Sequence, residues 1–143
     1  MAEYVPSPRE FVREQVELYE RSGGTEGTEL RGRPVVLVTH RGRKTGAVRK
    51  TPLMRVADGE RYVLVGSMGG APTDPVWVHN LRADSDIELR DRERVQSMRV
   101  REVSGEEKAQ LWALAVEAFP PYAEYQANTE REIPVFVAEP IEG

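Results

Sequence analysis

The chain has 143 residues, 20 Lys and Arg against 24 Asp and Glu for a net charge of -4, and no cysteine. One domain of this length hides roughly 70% of its unfolded surface without staples, and the missing cysteine excludes disulfide frameworks, thiolate metal sites and cysteine nucleophiles. No apolar run reaches the ~18 residues of a membrane span and charges stand throughout the N-terminal segment, so a soluble, cytoplasmic protein is expected.

Ser7-Pro8-Arg9-Glu10 has the form of a capping box with proline at the first helical position, predicting a helix from about 8 to 21 that stops at Gly23-Gly24. Phe11, Val12, Val16 and Tyr19 share its apolar face. That face either packs on the domain or meets a partner or membrane surface at the inner side of the cell membrane. Glu10, Glu14, Glu17 and Glu20 weaken attraction to anionic lipid. Residues 1–29 read as this amphipathic helix and a linker, and 30–143 as the main domain.

Arg31, Arg33, Arg41, Arg43, Lys44, Arg49 and Lys50 crowd into residues 31–50 with no Asp or Glu, so this segment carries +7 and the remainder -11. A cationic island in an acidic body suits a small anion, whereas nucleic acid demands a broad basic face, and no nucleic-acid partner is expected.

From Pro34 the pattern turns to β. Val35 to Thr39 is a strand, Gly42 to Gly46 a turn, and Pro52 to Val56 a second strand reaching back toward Val48. Asp58-Gly59 turns into the strand Tyr62 to Gly66, and the glycines and prolines of Ser67 to Pro75 make a loop. Val76 to Arg82 forms a short helix. Ile87 to Arg90 and Val95 to Val103 alternate as strands around Asp91-Arg92. Ser104 and Glu107 suggest a second capping box, opening a helix to about Ala118. Pro120-Pro121 break it, Tyr122 to Gln126 add a helical turn, and Ile133 to Val137 close with a strand. Short strands joined by hairpins predict a mainly β fold with flanking helices, an antiparallel barrel or strongly curled sheet. The chain lacks βαβ alternation, a G-x-G-x-x-G after a strand and a Walker A sequence, so a Rossmann or P-loop domain is excluded.

Gly42-Arg43-Lys44-Thr45-Gly46 can turn tightly and present amides, two cations and a hydroxyl to a phosphate, or stand as a solvated basic hairpin. Arg49 and Lys50 point to opposite faces of their strand, so only one can share that pocket. Ser67 to Pro72 either connects elements or lets a planar ligand approach the backbone. Trp77 suits the core or a stacking ligand. His40 and His79 lack partners at metal-ligand spacing, so no metal is expected. Tyr122 and Tyr125 meet on one helical face, sealing a core or hydrogen bonding to an oxygen that gains negative charge. No nucleophile elbow is present.

The segments GRKTG, VRKTPLMRV, DGERYVLVGSMGGAPTDPVWVHNLRA, FPPYAEYQ and TEREIPVFV together resemble the deazaflavin-dependent nitroreductase family, reductases that use coenzyme F-420 (8-hydroxy-5-deazaflavin). The resemblance covers roughly residues 30 to 138 and implies a split β-barrel like that of flavin-binding reductases. It implies an oxidoreductase transferring a hydride from the reduced coenzyme to a quinone or nitroaromatic acceptor. The alternatives are an FMN- or haem-type split-barrel binder and a non-catalytic F-420 carrier or sensor.

By resemblance, Arg43, Lys44 and Thr45 would grip the coenzyme phosphate, and Arg49, Lys50, Thr51, Pro52, Leu53 and Met54 would pass along it. Val65, Gly66, Ser67 and Met68 would lie beside the ring, with Val76, Trp77, Val78, His79, Asn80 and Tyr122 completing its pocket. Ser67 and Tyr122 would hydrogen bond to the acceptor or relay a proton, and Tyr125 would form the substrate wall. The chain departs from the family pattern at Met68, where many relatives carry Lys or Asn, and at Phe119, which is tyrosine in some members that reduce nitroimidazoles.

Overall fold

The computed structural model describes residues 3–141. Its elements in chain order are α1 (Glu10–Arg21), β1 (Glu29–Leu30), β2 (Arg33–Arg41), β3 (Val48–Met54), β4 (Ala57–Asp58), β5 (Arg61–Val65), α2 (Val76–Ala83), β6 (Asp86–Asp91), β7 (Arg94–Glu102), α3 (Gly105–Ala118), α4 (Pro121–Ala127) and β8 (Val135–Pro140).

Neither expected capping box forms. Arg9 keeps an extended backbone, the helix starts at Glu10, and Ser7 Oγ accepts from the Arg9 N–H instead of capping the first turn. At α3, Ser104 makes no side-chain cap, and Glu107 takes two hydrogen bonds from the Arg101 guanidinium, at 2.7 and 2.8 Å, instead of reaching back to the Ser104 N–H. A bidentate pair between two charged groups outweighs a single bond from one backbone N–H to the carboxylate.

All strand pairs are antiparallel, in the order β1-β2-β6-β7-β8-β5-β4, with β3 on the other side of β2. Beyond β3 the chain returns beside β5, where the Val63 N–H donates to the Val56 carbonyl oxygen at 2.8 Å, and the sheet curls into a half-barrel. Inside it pack Val36, Val38, Leu89, Met98, Val100 and Phe136, and α2 adds Trp77, Val78 and Leu81. The outer faces are covered by helices. Val16 and Tyr19 of α1 lie on Val35 and Leu37, while Leu111, Ala115, Phe119 and Tyr122 of α3 and its following segment lie on Val63, Val65, Val135 and Val137. This double coverage explains why β2 reads as a continuous apolar run rather than an alternation.

Phe11, expected on the buried face of α1, is 57% exposed, because the contact with β2 is made by the later turns through Val16 and Tyr19. The Tyr19 hydroxyl accepts the Arg92 N–H at 2.7 Å, tying α1 to the β6–β7 turn. No described helix is long and apolar enough to cross a membrane.

The register of β2 and β3 sorts the side chains of the candidate site. His40 opposes Arg49, Val38 opposes Thr51 and Val36 opposes Leu53 on the inner face. Thr39 with Lys50, Leu37 with Pro52, and Val35 with Met54 occupy the outer one.

Candidate functional site

The β2–β3 turn is closed by its own backbone. The Gly42 N–H donates to the Ala47 carbonyl oxygen and the Gly46 N–H to that of Gly42, both at 2.8 Å. Thr45 Oγ1 accepts the Ala47 N–H at 3.1 Å, so this hydroxyl shapes the turn. Arg43 and Lys44 project from it into solvent.

Asn80 anchors the turn to α2, its Oδ1 accepting the Arg43 N–H at 3.0 Å. A backbone N–H can only donate, so the amide oxygen of Asn80 faces it and Nδ2 faces His40. That Nδ2 donates to His40 Nδ1 at 3.2 Å, which leaves the ring proton on Nε2, 3.0 Å from Thr51 Oγ1. Burial, reinforced by the Arg49 charge, pushes the His40 imidazolium down to about 4. His40 is therefore a neutral hydrogen-bonding link between the basic turn and β3. A lone histidine on a strand gives no local sign of this, because its partner is 40 positions away.

Arg49 shares the inner face with His40, and Lys50 turns outward to pair with Glu20 of α1 at 2.5 Å, its Nζ 4.9 Å from the Tyr4 ring centre. Lys50 is the only one of the seven cations in the island that meets a carboxylate among the described residues. Arg31 donates to the Tyr125 hydroxyl at 3.0 Å and Arg33 to the Ala118 carbonyl oxygen at 2.8 Å. Outside the island Arg55, Arg82, Arg101 and Arg131 are all ion-paired. Most of the island charge thus stays uncompensated.

The loop after β5 lies between two helices. A Cβ on Gly66 would come 2.7 Å from Val78 of α2, and one on Gly70 would come 2.8 Å from the Tyr125 carbonyl oxygen of α4. Met68, Gly69 and Gly70 take φ of 44°, 65° and 82° through a short 3-10 turn. Val65 belongs to the outer core beneath α3 and α4, Ser67 is 7% exposed, and Met68 faces solvent.

Residues 76–80 divide by helical face. Trp77, Val78 and Asn80 are buried, Val76 is 71% exposed and His79 is half-buried. Trp77 is a core residue, its ring centre 5.8 Å from that of Phe136. Leu53 packs on the inner core and Met54 on both outer ones, with Thr51 and Pro52 half-buried.

Tyr122 is 4% exposed beneath Phe119, Trp112 and Tyr125, with ring centres 4.9, 6.2 and 6.3 Å away. Burial raises its phenol well above the ordinary value, so it stays protonated at neutral pH. Tyr125 is half-buried and better placed to meet a ligand.

The predicted segments join through direct contacts. Asn80 links the basic turn to α2, Gly66 and Val78 link α2 to the loop, Gly70 and Tyr125 link the loop to α4, and Arg31 links α4 back to the β1–β2 turn. Lys50 and Tyr122 lie apart, the first toward α1 and the second in the core.

The profile of the F420H(2)-dependent quinone reductase family matches residues 11–140. An F420H(2)-dependent quinone reductase of Mycobacterium tuberculosis is 35% identical over 124 residues, 84% of this chain and 83% of that protein. A solved structure described as a domain-swapped dimer is 46% identical, with a TM-score of 0.74, over 93% of this chain and 100% of the other. The structure of an F420-H2 dependent reductase is 47% identical, with a TM-score of 0.71, over 75% of this chain and 95% of the other. The half-barrel is thus the split-barrel fold of these reductases.

Proposed function

The chain belongs to the F420H(2)-dependent quinone reductase family, and we propose that it oxidises reduced coenzyme F-420 while reducing a quinone. The observation that carries this reading is the uncompensated cationic turn at residues 42–46, held against α2 by Asn80. Its donors suit the phosphate and glutamate carboxylates of the coenzyme tail.

When bound, the reduced coenzyme supplies a two-electron hydride equivalent. The residues of this chain supply binding, orientation and electrostatics. Arg43 and Lys44 would meet the anionic tail, with Arg49 and Thr51 along the inner face of β3. Gly66, Ser67 and Met68 would border the ring, and Val76 and His79 are the accessible members of the helix behind it. Trp77, Val78 and Asn80 would support that wall from the core, as Tyr122 supports α4.

Two-electron reduction of a quinone builds negative charge on its oxygens, which hydroxyl donors stabilise. The Ser67 hydroxyl takes no partner among the described residues. Tyr125 accepts from Arg31, which leaves its own proton free to be donated. These two groups are the proposed acceptor contacts.

Titration of coenzyme F-420 with detection of its fluorescence, followed by an acceptor screen, tests the reading. Saturable quenching and quinone-accelerated oxidation of the reduced form are expected. Retention of FMN without quenching would replace it with a flavin binder, and binding without turnover on any quinone or nitroaromatic would replace it with a carrier. A peripheral membrane contact would rest on Tyr4, Val5 and Phe11, exposed at the N-terminal end. It predicts sedimentation with lipid vesicles that Phe11→Ser weakens, and protein left wholly in the supernatant would remove it.

A further inference from the structure

Arg131 has no part in the reading above, yet its guanidinium is the most heavily engaged polar group beside the site. Its Nε donates to the Ala71 carbonyl oxygen at 2.6 Å and its Nη2 to that of Ser67 at 2.6 Å. Its Nη1 donates to the Gly66 carbonyl oxygen at 3.1 Å and to Asp74 Oδ1 at 2.8 Å. The side chain is only 13% exposed. Gln126 of α4 holds the backbone immediately after it, donating to the Arg131 carbonyl oxygen at 2.8 Å and accepting the Ile133 N–H at 3.0 Å. One planar cation therefore binds the loop 66–74 to the segment that follows α4.

The direction of these bonds matters. In a trans peptide the carbonyl and the N–H point to opposite sides. With the carbonyl oxygens of Gly66 and Ser67 turned to the guanidinium, the N–H groups of Ser67 and Met68 turn away from it. The loop also holds Met68 at φ 44°, a left-handed backbone that a non-glycine residue keeps only when its surroundings impose it. Arg131 provides that restraint from behind. A lysine ammonium is a compact point charge and cannot span the same acceptors in fixed geometry.

We propose that Arg131 is the positioning residue of the reduction site, fixing the loop 66–71 so that the Ser67 hydroxyl and its neighbouring amides are held toward the reacting ligands. This rests on the functional reading above and adds to it the group that determines where Ser67 stands. Arg131 touches neither coenzyme nor acceptor. It acts through the loop, while the basic turn is anchored independently by Asn80.

The test compares wild type, Arg131→Lys, Arg131→Ala and Asp74→Asn. For each, coenzyme F-420 affinity, kcat and KM for a quinone, and amide exchange of ligand-free Gly70 and Ala71 are measured. In Arg131→Lys, kcat is expected to fall about tenfold or more, since a misplacement near 1 Å can cost about 100-fold, with coenzyme affinity within about twofold. The Gly70 and Ala71 amides, which close the turn onto Ser67 and Met68, should exchange faster. Added guanidinium should restore rate to Arg131→Ala and leave wild type unchanged, and Asp74→Asn should show a smaller effect of the same kind. Wild-type kcat, unchanged loop exchange, or an equal fall in kcat and coenzyme affinity would each overturn the proposal. If wild type fails to bind coenzyme F-420, the functional reading falls and the proposal with it. If wild type turns over and a folded Arg131→Lys matches it, the proposal alone falls.

Discussion

At the scale of single residues, His40 is uncharged because it is 3% exposed and faces Arg49, and both of its ring nitrogens are used. Its folded value near 4 lies below the ordinary 6.5, so the stability it contributes is complete above pH 6.5 and is lost as the pH falls toward 4. By pH 4.5 the loss reaches roughly 2 to 3 kcal/mol. Denaturant unfolding of wild type and His40→Gln between pH 7 and 4.5 should show that extra acid sensitivity in wild type only. Parallel curves would contradict the neutral assignment. Lys44 and Lys50 separate by surroundings, one solvated and without an ion pair among the described residues, the other paired with Glu20. Lys44→Ala should weaken coenzyme F-420 about threefold at low salt and less at high salt, because exposed charge pairs are small and screened. Lys50→Ala should leave that affinity unchanged and lower the unfolding temperature, as fluorescence titration and thermal melts would record.

At the scale of elements, hairpin chemistry and apolar patterning locate the helices and the longer strands within a few residues of their observed ends and miss the two-residue strands β1 and β4. The α3 capping box fails where Arg101 reaches Glu107 from β7, an event invisible in a local tetrapeptide, and the α1 box fails because Arg9 stays extended and the helix starts at Glu10. The glycine-rich loop is recognisable in the sequence, but its shape depends on α4. Gly70 sits at φ 82° with the Tyr125 carbonyl oxygen where a Cβ would project. Gly70→Ala should cost about 2 kcal/mol and reduce quinone turnover more than coenzyme binding, measured by thermal unfolding and steady-state rates. Equal stability would mean that the loop and α4 separate readily.

At the scale of the whole molecule, the split between a +7 island and a -11 remainder survives folding, because among the described residues only Glu20 pairs with an island cation, Lys50, while Asp74, Asp91, Glu102 and Glu107 pair with arginines outside it. The local field should attract an anionic coenzyme, so its association rate should fall steeply between 20 and 300 mM salt, at roughly constant dissociation rate, in stopped-flow quenching. A salt-insensitive association rate would assign binding to the apolar contacts instead.

Composition, turn residues and strand periodicity by themselves determined a mainly β domain, the place of the basic turn and the split of Arg49 from Lys50, because these follow from local backbone geometry and side-chain alternation. The motifs further determined the family. Only the tertiary structure decided that Tyr122 is core while Tyr125 meets Arg31, that His40 links Asn80 to Thr51, and that Arg131 holds the loop. Each of those depends on contacts between residues far apart in the chain: aromatic packing around Tyr122, and hydrogen bonds spanning 94 positions for Arg31 and Tyr125, 40 for His40 and Asn80, and 64 for Arg131 and Ser67, which no local pattern records.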